Sequence, residues 1–202
     1  MAPSTRPIPQ FFAEPPQEPL PYGRWGEALG KHFVEAAEAL EDFDQLGELG
    51  EPLWFPERTL GRRTYVPATV TTDRGFELFG FVSYARTNEG ADATDFLATV
   101  DCTEETIASN PDWSLDLSDA EIGHWRGHDG RRGQLTLVWG VAHVAGGDIA
   151  TAELGPTVTD QCAVIDDRFT LASLDNYTGD YVEVRLWDKK GRELAAESLY
   201  EE

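Results

Sequence analysis

The chain has 202 residues, 41% of them hydrophobic and 11% aromatic, which supplies enough apolar area for a folded domain with a sizeable core. Its 37 acidic residues against 16 Lys and Arg give a formal net charge of −21, which repels phosphate backbones and disfavours direct nucleic-acid binding. No apolar run approaches the ~18 residues that a membrane-crossing helix needs, so no membrane partner is expected.

Residues 1–22 form the first segment. Pro3, Pro7, Pro9, Pro15, Pro16, Pro19 and Pro21 are seven of the 12 prolines of the chain. Fixed φ angles and missing N–H donors forbid a helix or a central strand there and predict an extended, polyproline-like arm. Ile8, Phe11, Phe12, Leu20 and Tyr22 are apolar handles on that path. An extended arm cannot bond to itself, so it needs a surface, either its own body or a neighbour's. The opening Met-Ala-Pro-Ser-Thr-Arg-Pro has no apolar stretch of the secretory type. The expected location is therefore the cytoplasm, or a particle assembled inside a cell.

Residues 23–50 are expected to hold an amphipathic helix and its connection. Trp25, Leu29, Phe33, Ala36, Leu40 and Phe43 recur at three- and four-residue steps, which predicts one helix over 23–46 with Glu27, Glu35, Glu38, Glu41 and Asp42 largely on other faces. Gly47, Gly50 and Pro52 supply the stop.

From residue 51 to 202 the period changes to two, and the pattern predicts a single antiparallel β body. Runs at 64–72 and 76–86 read as strands joined through Asp73-Arg74-Gly75, with Gly75 in the left-handed conformation of a bulged turn. Pro67 places the first of them at an edge or a bulge. A third strand follows at 96–102, then helical turns at 103–110. Ser118-Asp119-Ala120-Glu121 has capping-box spacing, which predicts another short helical turn. The run 134–144 sets Leu135, Leu137, Trp139 and Val141 on one face and Val138, Ala142 and Val144 on the other, the pattern of a strand buried on both sides. Strands at 162–165 and 168–171 come next. The final hairpin, 181–187 with 193–200, turns at Asp188-Lys189-Lys190-Gly191-Arg192. It resembles the last strands of many immunoglobulin-like sandwiches, a pattern too general to imply a function. The fold class expected is mainly β within α+β: an antiparallel sandwich or barrel-like body, one N-terminal amphipathic helix and an extended Pro-rich arm.

Three constellations bear on function. His124-Trp125-Arg126-Gly127-His128-Asp129, with His143 one strand later, contains the ligand types of a hydrolytic zinc or non-haem iron site. Gly127 and the Asp129-Gly130 turn pair argue for a turn there, and histidines four apart share a face only on a helix. Arg58, Arg62, Arg63, Arg131 and Arg132 are clustered guanidinium groups able to hold a phosphate or carboxylate, against the alternative of pairing with local acids. Trp54, Phe55, Trp113, Trp125, Trp139 and Trp187 suit either a ligand pocket or a core; Trp139 is expected in the core, and Trp113 is the ring to test for exposure. Cys102 and Cys162 read as small buried thiols, and their spacing fits no dithiol or thiolate–metal motif.

No nucleophile elbow, phosphate loop or dinucleotide fingerprint is present in the sequence, and no cofactor is expected. Lysine is scarce, with Lys31, Lys189 and Lys190 alone, which fits either solvation in high salt or a genome composition favouring Arg. The functional expectation is a non-enzymatic structural or interaction protein. It would be a component of a multi-subunit particle such as a virion or tail, whose arm docks on a protein partner or on another copy. The alternatives are a small-ligand or carbohydrate-binding β domain and a metal-dependent hydrolase using the His/Asp cluster.

Overall fold

The computed structural model describes residues 20–87, 91–126, 132–175 and 181–199. Of the arm handles, Ile8, Phe11 and Phe12 lie outside the described residues. Two helices come first, α1 (Gly23–Ala37) and α2 (Phe43–Leu46). Helix α1 buries Leu29, Phe33 and Ala37 on one face. It is shorter than its periodicity predicts: after Ala37 the chain tightens into turn hydrogen bonds, Ala39 N–H to Ala36 O at 3.2 Å and Leu40 N–H to Ala37 O at 3.0 Å. Leu40 and Phe43 still pack on the same core, so the apolar period continues across a break in the helix. Gly47 ends α2 with φ +94, and a Cβ there would lie 2.1 Å from Asp73 Oδ1, so no other residue fits without displacement.

Three antiparallel sheets follow. The first holds β1 (Leu53–Trp54), β2 (Arg58–Leu60), β3 (Arg63–Thr71), β4 (Glu77–Ala85) and β5 (Thr94–Thr103), in the order β1-β3-β4-β5 with β2 also paired to β3. The second is formed by β6 (Leu115–Arg126), β7 (Arg132–Ala142) and β10 (Arg168–Asp175), with β7 in the middle. The third is formed by β8 (Ile149–Leu154), β9 (Thr157–Ala163), β11 (Val182–Trp187) and β12 (Glu193–Ser198), in the order β12-β11-β8-β9.

Side-chain alternation sorts these elements into layers. Val66, Ala68, Val70, Leu78, Val82 and Tyr84 of the first sheet pack with Leu29 and Phe33 of α1. Its other face, with Tyr65 and Phe81, meets Leu137 and Trp139 of β7. The opposite face of the second sheet, with Val138, Ala142, Phe169 and Leu171, packs on Ala150, Ala152, Val182, Val184 and Leu186 of the third. The order is therefore helix, sheet, sheet, sheet, and β7 is apolar on both faces because it has a sheet on each side. Gly140 permits this packing: a Cβ there would come within 2.5 Å of Asp116 O and 3.0 Å of Phe169 Cζ.

Two sequence expectations are corrected here. Residues 118–121 belong to strand β6, not to a helical turn, because inward-facing Ala120 and Ile122 pack on the core shared with the first sheet. Pro67 lies inside β3, which has neighbours on both sides. It is tolerated because β1 pairs as far as Ala68 and β2 begins at Tyr65, so its missing N–H faces the break between them. The carbonyl of Pro67, on that same side, accepts Phe55 N–H at 3.0 Å. The 103–110 stretch makes a single hydrogen-bonded turn, with Asn110 N–H to Thr106 O at 3.0 Å.

Candidate functional site at the end of the β6–β7 hairpin

Strands β6 and β7 pair from Leu115–Ala142 out to Arg126–Arg132, whereas β10 covers β7 only from Val141 to Gln134. Among the described residues, the last two pairs of the hairpin, Trp125–Gly133 and Arg126–Arg132, lie beyond the last paired residue of β10, Asp175. A register shift between Glu121 and Gly123 inserts one extra residue into β6. In a regular strand residues 121 and 124 would point to opposite faces; the bulge brings them together. Glu121 Oε1 lies 3.1 Å from His124 Nδ1, and Glu121 Oε2 accepts from Gln134 Nε2 at 2.7 Å. The carboxylate thus fixes both side chains and leaves His124 Nε2 without a partner among the described residues. Glu121, His124, Trp125, Arg126, Arg132, Gly133 and Gln134 enclose an open recess of about 580 Å³.

The structure separates the residues that the sequence grouped. Arg58 is 3% exposed and Asp160, on β9, is 1% exposed; the two form an ion pair between β2 and the third sheet. Arg58 is therefore unavailable to an external anion. Arg63 is held by the Asp95 carboxylate, by Asp95 O at 3.0 Å and by Ser83 Oγ at 3.1 Å, so it too is an internal contact. Arg62 is exposed in the turn between β2 and β3, away from the hairpin in sequence and sheet. Arg132 is exposed at the hairpin end, while Arg131, His128 and Asp129 lie outside the described residues. His143 follows the far end of β7 and donates its backbone N–H to Ser114 O at 2.9 Å. At ~3.3 Å per residue along a strand, the eight steps from Gln134, the partner of His124, to Ala142 separate the two histidines by roughly 25 Å. A metal site shared by His124 and His143 is thereby ruled out. Among the described residues no group of three or more His, Cys, Asp or Glu is gathered for a metal ion.

At that far end of the second sheet, Glu77 of β4 and Asp116 of β6 face each other across the layer boundary. Burial, and then the Asp116 charge, push the Glu77 carboxyl up to about 7. Asp116 is also raised by burial, and His143 pulls it back. The two cysteines are free. Cys162 packs against the core between the second and third sheets, and burial pushes its thiol up to about 12, which leaves it unreactive near neutral pH. Trp139 is fully buried, and Trp113 is half-buried. Of the arm handles inside the described residues, Leu20 is half-buried and Tyr22 is 73% exposed at the entrance to α1.

Sequence reasoning did not single out Glu121, Gln134 or Arg126 as members of one constellation. The signal that could have placed them is Gly123, the small residue at the bulge, but a bulge is recognised only once the pairing register is known. Comparison with protein-family models, with curated proteins and with solved structures found no match. Among the described residues no helix is long and apolar enough to cross a membrane.

Proposed function

We propose that this chain is a non-enzymatic interaction or structural protein, a component of a multi-subunit particle assembled inside a cell, with its body read as stacked β-sandwich layers and its N-terminal arm docking on a neighbour. The observation that carries this reading is Tyr22. Its backbone is extended, at φ −147 and ψ 167, and the residue is 73% exposed where the Pro-rich segment joins α1. An aromatic residue held in water at the root of a segment carrying Ile8, Phe11 and Phe12 supports a docking arm whose apolar handles gain their burial on another subunit. Proline restriction lowers the entropy lost when such an arm is ordered. Deleting residues 1–19 together with Tyr22→Ser tests it by light scattering and co-purification. The expected outcome is loss of the higher-mass species with unchanged melting of the body. An unchanged mass and unchanged co-purifying partners would end the reading.

A second reading, a small-ligand-binding β domain, is supported by the recess at the hairpin end, which charged and hydrogen-bonding residues line together with the half-buried Trp125.

A further inference from the structure

We propose that the end of the β6–β7 hairpin is an oxyanion-binding site, in which Arg126 and Arg132, on the same face of the hairpin, grip a phosphate or carboxylate group. The proposal rests on the ligand-binding reading of the recess and is independent of the arm.

Arg126 and Arg132 are direct cross-strand partners. Side chains so paired start ~5 Å apart at Cβ, and like charges in that arrangement oppose each other. The chain has 37 acidic residues that could relieve them, yet neither arginine has a carboxylate partner among the described residues. By contrast, Arg58, Arg63, Arg168 and Arg185 are each held by at least one carboxylate. An oxyanion between the two guanidinium groups would convert the repulsion into charge-assisted hydrogen bonds, because each planar fork can present two parallel N–H donors.

The rest of the recess fits that ligand class. His124 and Gln134, paired across the strands, lie on the same face as Arg126 and Arg132 and line the recess with them. The Glu121 carboxylate is already engaged by His124 Nδ1 and Gln134 Nε2, so it stands behind those side chains as an orienting group. His124 lies two residues before Arg126 on the same strand and keeps Nε2 for the ligand. The body of the molecule, at net charge −21, repels anions at long range. Selectivity must therefore come from short-range bidentate contacts, and binding should favour multivalent oxyanions over chloride.

The test uses the full chain with sodium phosphate, sodium citrate and neutral glucose as probes, each against sodium chloride at matched ionic strength, read by titration calorimetry and melting temperature. The variants are Arg126→Gln, Arg132→Gln and their double, with Arg62→Gln as the exposed control and circular dichroism to confirm folding. Phosphate or citrate is expected to bind the wild type and Arg62→Gln alike. Each single site variant should weaken binding about tenfold. Stronger binding of phosphate than of citrate, or the reverse, identifies which oxyanion the site takes. Equal binding by the double variant and the wild type would overturn the proposal. Glucose binding without oxyanion binding would overturn it while sparing the recess as a ligand site, and no response to any probe would end both.

Discussion

Replacing Asp160 with Ala should destabilise this protein more than almost any other single polar change. Arg58 and Asp160 connect β2 of the first sheet to β9 of the third, at 3% and 1% exposure. Asp160 Oδ2 also accepts the Ala172 N–H of β10 at 2.8 Å, so one carboxylate ties three strands together. Removing it leaves a buried guanidinium without its counter-charge and a buried amide without its acceptor. Breaking a buried pair from one side costs about 3–5 kcal/mol. With a urea dependence of roughly 2 kcal/mol/M for a domain of this size, the midpoint should fall by about 1.5–2.5 M. Removing both charges is a different case, because the desolvation penalty of the pair disappears as well. Arg58→Met with Asp160→Leu is expected to lie near the wild type or above it. Urea unfolding of the two single variants and the double closes the cycle, with Arg63→Gln as a reference. Its partner Asp95 is largely exposed, so that loss should stay below about 1 kcal/mol. A midpoint for Asp160→Ala as mild as that of Arg63→Gln would refute the buried-tie argument, as would a double variant as unstable as the sum of the singles.

Glu77 supplies a pH prediction with a definite sign. Its carboxyl is raised from 4.5 to about 7 by burial and by Asp116, so between those values the folded state holds the proton more tightly than the unfolded chain. Stability should therefore fall as pH rises from about 4.5 through about 7 and then level off. The full shift corresponds to about 3 kcal/mol, and solvent screening of this partly exposed group reduces that to roughly 1–2 kcal/mol. Glu77→Gln should remove that slope and raise the melting temperature at pH 8; an unchanged profile would show that Glu77 does not titrate near neutrality. Trp139 gives a packing prediction. Its indole Nε1 is buried with no hydrogen-bond partner among the described residues, so Trp139→Phe relieves an unsatisfied donor while retaining most of the ring. Phe should cost within about 1 kcal/mol and Ala about 3–5 kcal/mol, read from urea midpoints; equal losses would mean that the N–H does bond.

Several elements were legible because their signals are local. Gly75 has φ +87 in the turn that Asp73-Arg74-Gly75 announces, and Gly191 has φ +74 in the closing hairpin. Strand β7 showed its two apolar faces in its own residues. Strands β8 and β9 were harder to see: their inward positions include Ala150 and Ala152, side chains too small to mark a period. Asp166-Asp167 forms a two-residue turn with φ values of +50 and +62, closed by the Ile165–Arg168 bridge, a turn that carries no glycine to announce it. Residues 118–121 misled because a capping-box spacing is also compatible with a polar strand whose inward residues are only Ala120 and Ile122.

The sequence by itself determined the β class, the turns at Asp73-Arg74-Gly75 and in the closing hairpin, and the two-faced central strand, since each depends on residues within a few positions of one another. Tertiary structure alone decided which arginines are engaged by carboxylates. Arg58 and Arg132 look alike in the chain, yet one meets Asp160 from 102 positions away and the other stands at the end of the β6–β7 pairing with no carboxylate partner among the described residues. Charge pairing depends on distance in space, and that distance is set by sheet register and layer stacking, which no local pattern encodes.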